Sequence, residues 1–79
     1  MKAKKNKHAI AFGQVLKELR HDAALSQDAL AEKAELERTF ISFLERGERQ
    51  PTLTTIIALA FALGIAPDEV VQLTMKRLV

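Results

Sequence analysis

The chain has 79 residues, 48% hydrophobic and 28% charged, with a formal net charge of +2 and no cysteine. That length accommodates one small domain rather than two, and the balance of apolar and charged residues is that of a folded chain. Without thiols, a disulfide scaffold, a thiolate zinc site and a cysteine nucleophile are all excluded.

The longest apolar run, residues 56–66, falls well short of the ~20 residues that span a bilayer. The lysines near the start have no apolar stretch behind them, so no signal peptide is expected. A cytoplasmic domain without membrane contact fits these features. Four lysines, Lys2, Lys4, Lys5 and Lys7, supply +4 of the charge, whereas residues 9–79 hold eight basic and ten acidic side chains, a net of −2. Residues 1–8 are therefore expected to be a flexible basic tail, either merely solvated or following an anionic surface. Bulk charge on the folded part attracts no polyanion, so any such grip must come from where a few arginines are placed.

In chain order, Phe12, Val15, Leu16, Leu19 and Ala23 recur at helical spacing and predict an amphipathic helix over about 9–24. Ser26 stands where an N-cap belongs, and Asp28 in the following turn suits the helix dipole. Leu30, Ala31 and Ala34 form the inward face of this short second helix. Glu35-Leu36-Glu37 links it to a third, about 38–46, with Phe40, Ile41 and Leu44 as its apolar stripe and Gly47 as its stop. Thr52 caps a fourth helix, about 53–63, ending at Gly64. Pro67 opens a fifth, backed by Asp68 and Glu69 and running nearly to the end. No period-two pattern marks a strand. The expected fold is all-α, five helices in one domain over 9–79.

Two short helices joined by a three-residue turn, about 26–46, form a helix-turn-helix, in which the second helix enters the major groove of DNA. With Ile41 and Leu44 inward, its outer face carries Arg38, Thr39, Ser42, Phe43 and Arg46. Arginine can grip guanine bidentately, threonine and serine can serve a base or a phosphate, and phenylalanine can touch a thymine methyl. On periodicity alone, Phe43 reads equally as a core residue, and Arg38 and Arg46 as a solvated face paired with Glu35 or Glu45.

The stretch LSQDALAEKAELERTFISFLERGERQPTL, residues 25–53, resembles the lambda-repressor-like (Cro/cI, or XRE-type) helix-turn-helix family. Residues 56–71, with Ala60, Leu63, Gly64 and Asp68-Glu69, fit that family's fourth and fifth helices. The likeness spans about residues 10–72, and RTFIS–ERGER in so small a chain is similar to controller proteins of restriction–modification systems as well as to phage-type repressors. The resemblance implies a sequence-specific transcriptional regulator, not an enzyme, that binds double-stranded DNA. It places Arg38, Thr39, Ser42 and Phe43 against bases and Gln27, Arg46, Arg49 and Thr52 against phosphates. It also places Arg20 and Glu45 in a buried ion pair. Glu35 stands where the family often has a glycine of positive φ, Glu37 where it has a serine or threonine cap, and Ala58 and Phe61 at commonly charged positions.

His8 and His21 form no metal-ligand spacing, and no glycine-rich nucleotide loop exists. No cofactor, metal or small-molecule effector is expected. A competing reading is a protein-interaction module that keeps this fold without binding DNA, favoured by Glu37 and the low charge of the folded part. The run Ile56-Ile57-Ala58-Leu59-Ala60-Phe61-Ala62-Leu63 has no polar member. If Ile56, Ile57, Ala60 and Leu63 face the core, then Ala58, Phe61 and Ala62 face outward, and Val71, Met75, Leu78 and Val79 could extend the patch. Such a patch on a small domain marks an interface, so a homodimer built from the fourth and fifth helices is expected, with Phe61 near its centre and a palindromic operator to match its two-fold axis. The alternative is that the last helix folds over Phe61 within one chain.

Overall fold

Asn6 opens the first helix in the computed structural model, which describes residues 6–78. Its side-chain oxygen accepts from the backbone N–H groups of His8 at 2.7 Å and Ala9 at 3.2 Å. The helices are α1 (Lys7–Asp22), α2 (Gln27–Ala34), α3 (Arg38–Glu45), α4 (Leu53–Leu63) and α5 (Pro67–Arg77), with no strand among the described residues. The expected tail is corrected here. Lys7 and His8 belong to α1, because Asn6 satisfies N–H groups that a free helix end would leave orphaned. The basic positions Lys2, Lys4 and Lys5 lie outside the described residues, as does Val79.

Four of the five helices end in the same way. The chain turns left-handed at Ala24 (φ 57°), Glu35 (φ 59°), Gly47 (φ 72°) and Gly64 (φ 74°). In each case the next N–H reaches back across the last turn: Leu25 to the Arg20 carbonyl, Leu36 to Ala31, Glu48 to Phe43 and Ile65 to Ala60. This is the Schellman closure, which satisfies carbonyls that the helix cannot. It also explains why α1 stops at Asp22 rather than 24 and why Ala23, expected on the apolar stripe, is exposed.

Leu16, Leu30, Ile41, Leu44 and Leu59 are the largest fully buried side chains, drawn from α1 to α4, and Val70 of α5 is buried beside them. Fully burying each large aliphatic side chain contributes roughly 1.5–3 kcal/mol. α1 packs on α3 and α5, α2 on α3 and α4, and α4 on α5. Gly13 permits a close crossing of α1 and α3: a Cβ there would collide with the Leu44 carbonyl and lie 2.8 Å from the Glu45 oxygen.

On α4 the inward face is Leu59 and Ala60, with Ile56, Ala62 and Leu63 packed against the core. Two assignments change as a result. Ile57, expected inside, is half-buried and stands outside the core cluster, whereas Ala62, expected outside, packs against it. The core-facing direction of α4 is rotated toward Leu59 because the helix is gripped by α2 on one side and α5 on the other. No single helix among the described residues is long and apolar enough to cross a membrane.

Candidate nucleic-acid interface

α3 is the centre of the site. Ile41 and Leu44 anchor it in the core, leaving Arg38 and Thr39 exposed and Ser42 and Phe43 half-buried on the other face. Its N-cap position is Glu37, whose side chain makes no capping hydrogen bond. The helix start is held instead by its packing and by a bracket at the opposite end.

That bracket is ionic. Arg20 of α1 donates through Nε to Glu45 Oε2 at 2.6 Å and through Nη2 to Glu45 Oε1 at 3.1 Å. A third arm, Nη1, donates to the Leu25 carbonyl at 2.9 Å. Gln27 at the start of α2 donates Nε2 to Glu45 Oε1 at 3.0 Å. The Arg20 and Glu45 side chains are 9% and 4% exposed. With so little water nearby, the pair is worth having only because its hydrogen bonds are met, and truncating one partner would leave a buried charge at a cost of roughly 3–5 kcal/mol. One acid thus fixes α3 to both α1 and α2, while one Nε2 hydrogen of Gln27 remains for another acceptor.

The remaining cations lie on the outer surface. Arg38 Nε stands 3.5 Å from Asp28 Oδ1 of α2, with both side chains exposed. Arg46 forms a fork with Glu48, Nε to Oε2 at 3.1 Å and Nη2 to Oε1 at 3.2 Å, and its Nη1 donates to Ser42 Oγ. Donating to the Glu48 carboxylate raises the Arg46 pKa above its ordinary value. The acids paired with these arginines are therefore Asp28 and Glu48, not Glu35 or Glu45. The reason is geometric: Glu45 points inward to Arg20, and Glu35 belongs to the left-handed turn.

Phe43 is not the core residue that periodicity alone also allowed. Its ring is half-buried, outside the core cluster, and lies 5.2 Å from the Arg46 guanidinium carbon and 5.3 Å from that of Arg49. Two guanidinium groups over one ring are held by attraction to its π-electrons. Thr52 caps α4, its hydroxyl accepting from the Thr55 N–H at 3.1 Å.

This surface lies on two short helices joined by a turn, and comparison with known proteins identifies the unit. A family model described as a helix-turn-helix domain matches residues 11–73. The chain belongs to the helix-turn-helix family. The control protein C.BamHI of Bacillus amyloliquefaciens is 36% identical over 70 residues, 87% of this chain and 86% of that protein. The immunity repressor of Bacillus phage phi105 is 42% identical over 62 residues, 78% of this chain but 43% of the repressor, so the chain spans less than half of that relative. The crystal structure of the restriction–modification controller protein C.AhdI from Aeromonas hydrophila is similar with a TM-score of 0.76 at 44% identity, covering 78% of this chain and 94% of that one. Wild-type C.Esp1396I, another such controller, gives a TM-score of 0.83 at 25% identity over 91% and 92% of the two chains. The molecule is an all-α DNA-binding transcriptional regulator.

Within this helix-turn-helix regulator the structure brings Arg38, Thr39, Ser42, Phe43, Arg46 and Arg49 onto or beside the outer face of α3. It does not gather the six expected interface residues into one patch. Ala58, Phe61 and Ala62 line a groove with Lys33, Ala34 and Glu35 of α2 and its turn. Val71, Met75 and Leu78 line another, with Ala9 and Phe12 of α1 and Ile56 of α4. Phe61 is 72% exposed, so α5 does not fold over it. The sequence reading missed Leu53, equally exposed. Leu53, Ile57 and Phe61 follow i, i+4, i+8, a spacing that places them along one side of α4, and that spacing was available in the sequence.

Proposed function

We propose that this regulator reads a palindromic operator as a homodimer, with α3 in the major groove. Arg38 and Thr39 contact base edges at the start of α3, Ser42 and Phe43 line its next turn, and Arg46, Arg49, Gln27 and the α4 start at Thr52 face phosphates. The observation that carries this reading is the outer face of α3, where every side chain able to read a base or hold a phosphate stands outside the core while Glu45 locks the helix from behind. A helix held at that end can transmit the position of its base contacts without slack. The dimer is supported by the exposed stripe on α4. A two-fold axis would set two recognition helices one helical turn apart, ~34 Å.

The roles separate by substitution. Selection of bound sites from a random DNA pool would first define the operator. Arg38→Ala is then expected to cost about 1–3 kcal/mol on that operator and to relax preference at one base position. Arg49→Ala should instead weaken all sequences about equally and reduce the salt slope. An Arg38→Ala protein with an unchanged ratio of operator to scrambled-DNA affinity would exclude Arg38 from base readout. A wild-type chain that binds no DNA at low salt would favour the interaction-module reading.

A further inference from the structure

The turn after α3 is built with unusual care for an exposed loop. Gly47 takes φ 72°, and a Cβ on it would fall 2.9 Å from Ile10 Cγ1 and 3.0 Å from Ile10 Cα. The turn is thus pressed onto α1, and Gly47 itself is buried. Glu48 follows, its N–H donating to the Phe43 carbonyl at 2.9 Å. These constraints return Glu48 alongside Arg46, two residues earlier, where its carboxylate meets the guanidinium edge at 3.1 and 3.2 Å.

That edge is one of the two that an arginine can offer to a phosphate. Two parallel N–H donors match two oxygens, whether of a carboxylate or of a phosphodiester. Of the other donors, Nη1 already gives one hydrogen to Ser42 Oγ, and the guanidinium carbon lies 5.2 Å from the Phe43 ring centroid, so a phosphate meets the group with its Nε–Nη2 edge occupied. We propose that Glu48 is an intramolecular competitor for phosphate at Arg46, lowering the affinity of the regulator for DNA of any sequence. The proposal rests on the reading of Arg46 as a phosphate contact. Each binding event exchanges the Glu48 carboxylate for a backbone phosphate, and the displaced acid remains beside the polyanion. The effect falls on the sequence-independent part of binding, because phosphate contacts position the protein and carry no base information. In a chain whose folded part already bears a net negative charge, it raises the protein concentration at which DNA becomes occupied.

The test is a double-mutant cycle with the full chain, titrated by fluorescence anisotropy against a mixed-sequence duplex at two salt concentrations. Glu48→Gln keeps the shape and removes the charge. It should bind about two- to fivefold more tightly than wild type, the scale of an exposed ion pair. In the Arg46→Ala background the same change should give a clearly smaller gain, because only general repulsion of DNA by Glu48 is left to remove. An equal or larger gain in that background overturns the proposal, as does an unchanged affinity of Glu48→Gln in the wild-type background. Arg46→Ala alone must also weaken binding; if it does not, the phosphate role of Arg46 fails and the inference with it. Failure of the wild type to bind any duplex at low salt would instead reject the DNA-reading function itself. Circular dichroism melts of all four proteins confirm that the folded state is compared throughout.

Discussion

Glu35 occupies a backbone region that costs an ordinary L-residue roughly 1–2 kcal/mol, and among the described residues its side chain makes no hydrogen bond or ion pair to offset that cost. It was recognisable from the sequence only through the resemblance, which expects a glycine there; propensity alone gave a link between helices and no sign of φ. Ala24 shows the limit of that reading, since it adopts the same conformation (φ 57°) with no residue-type signal at all. Replacing Glu35 by glycine should relieve the strain but loosen the unfolded chain, for a net gain of about 0.5–1 kcal/mol. In a domain of this size that is a rise in Tm of roughly 2–8 °C. A thermal melt checks it, and a lower Tm for Glu35→Gly would mean that the glutamate side chain stabilises the turn. Arg38 and Arg46 teach a related lesson. Their place on the outer face was legible from period 3.6, but their acidic partners were not, because Asp28 sits on another helix and Glu48 beyond a left-handed turn.

At the scale of elements, the N-caps Ser26 and Thr52, the stop at Gly64 and the proline at the start of α5 made most of the helix limits legible, since each is a local solution to unsatisfied backbone groups. Packing between elements was less visible. The α1–α3 crossing depends on Gly13, which no periodicity marks, and the α1–α5 contact carries a clasp in which Arg77 donates to Glu18 and, at 3.4 Å, to Gln14. The hydrogen bond from Arg77 lowers the Glu18 pKa; partial desolvation opposes this and the Coulombic attraction adds to it. The folded state therefore binds the Glu18 proton less readily than the unfolded chain does. Its stabilisation is fully present above the ordinary carboxylate range and is lost as pH falls through the lowered value. Glu18→Gln should melt below wild type at neutral pH, and the gap should close as the solution is acidified below that range. Because the other carboxylates titrate in both proteins, the difference between the two melting curves isolates the clasp. A gap that is constant with pH would assign the effect of the substitution to packing.

For the whole molecule, the proposed dimer turns on α4. Its apolar sequence showed that one helix had more than one face to cover, but not which face was spare, because an unbroken apolar run has no periodicity to orient it. The packing orients it: Leu59 and Ala60 go inward, while Leu53 and Phe61, each 72% exposed, stand in solvent with the half-buried Ile57 between them. Apart from the exposed Thr54 beside Leu53, this side of α4 is apolar, and a single copy leaves it uncovered. A second copy related by a two-fold axis can cover it, each α4 lying against the other with Phe61 near the axis, since such an interface is self-complementary by construction. The groove formed by Val71, Met75 and Leu78 lies apart and would join the interface only at its margin. Phe61→Glu places two carboxylates close to the axis of that dimer but touches little inside one copy. It should give monomers in analytical ultracentrifugation with the helical spectrum unchanged. Operator binding should then weaken steeply, because each α3 would have to find its half-site alone. Leu78→Glu, at the margin, should leave most of the protein dimeric. If Phe61→Glu sediments as a dimer and Leu78→Glu does not, the axis runs through the α5 groove, and the spacing of the two recognition helices must be drawn from there.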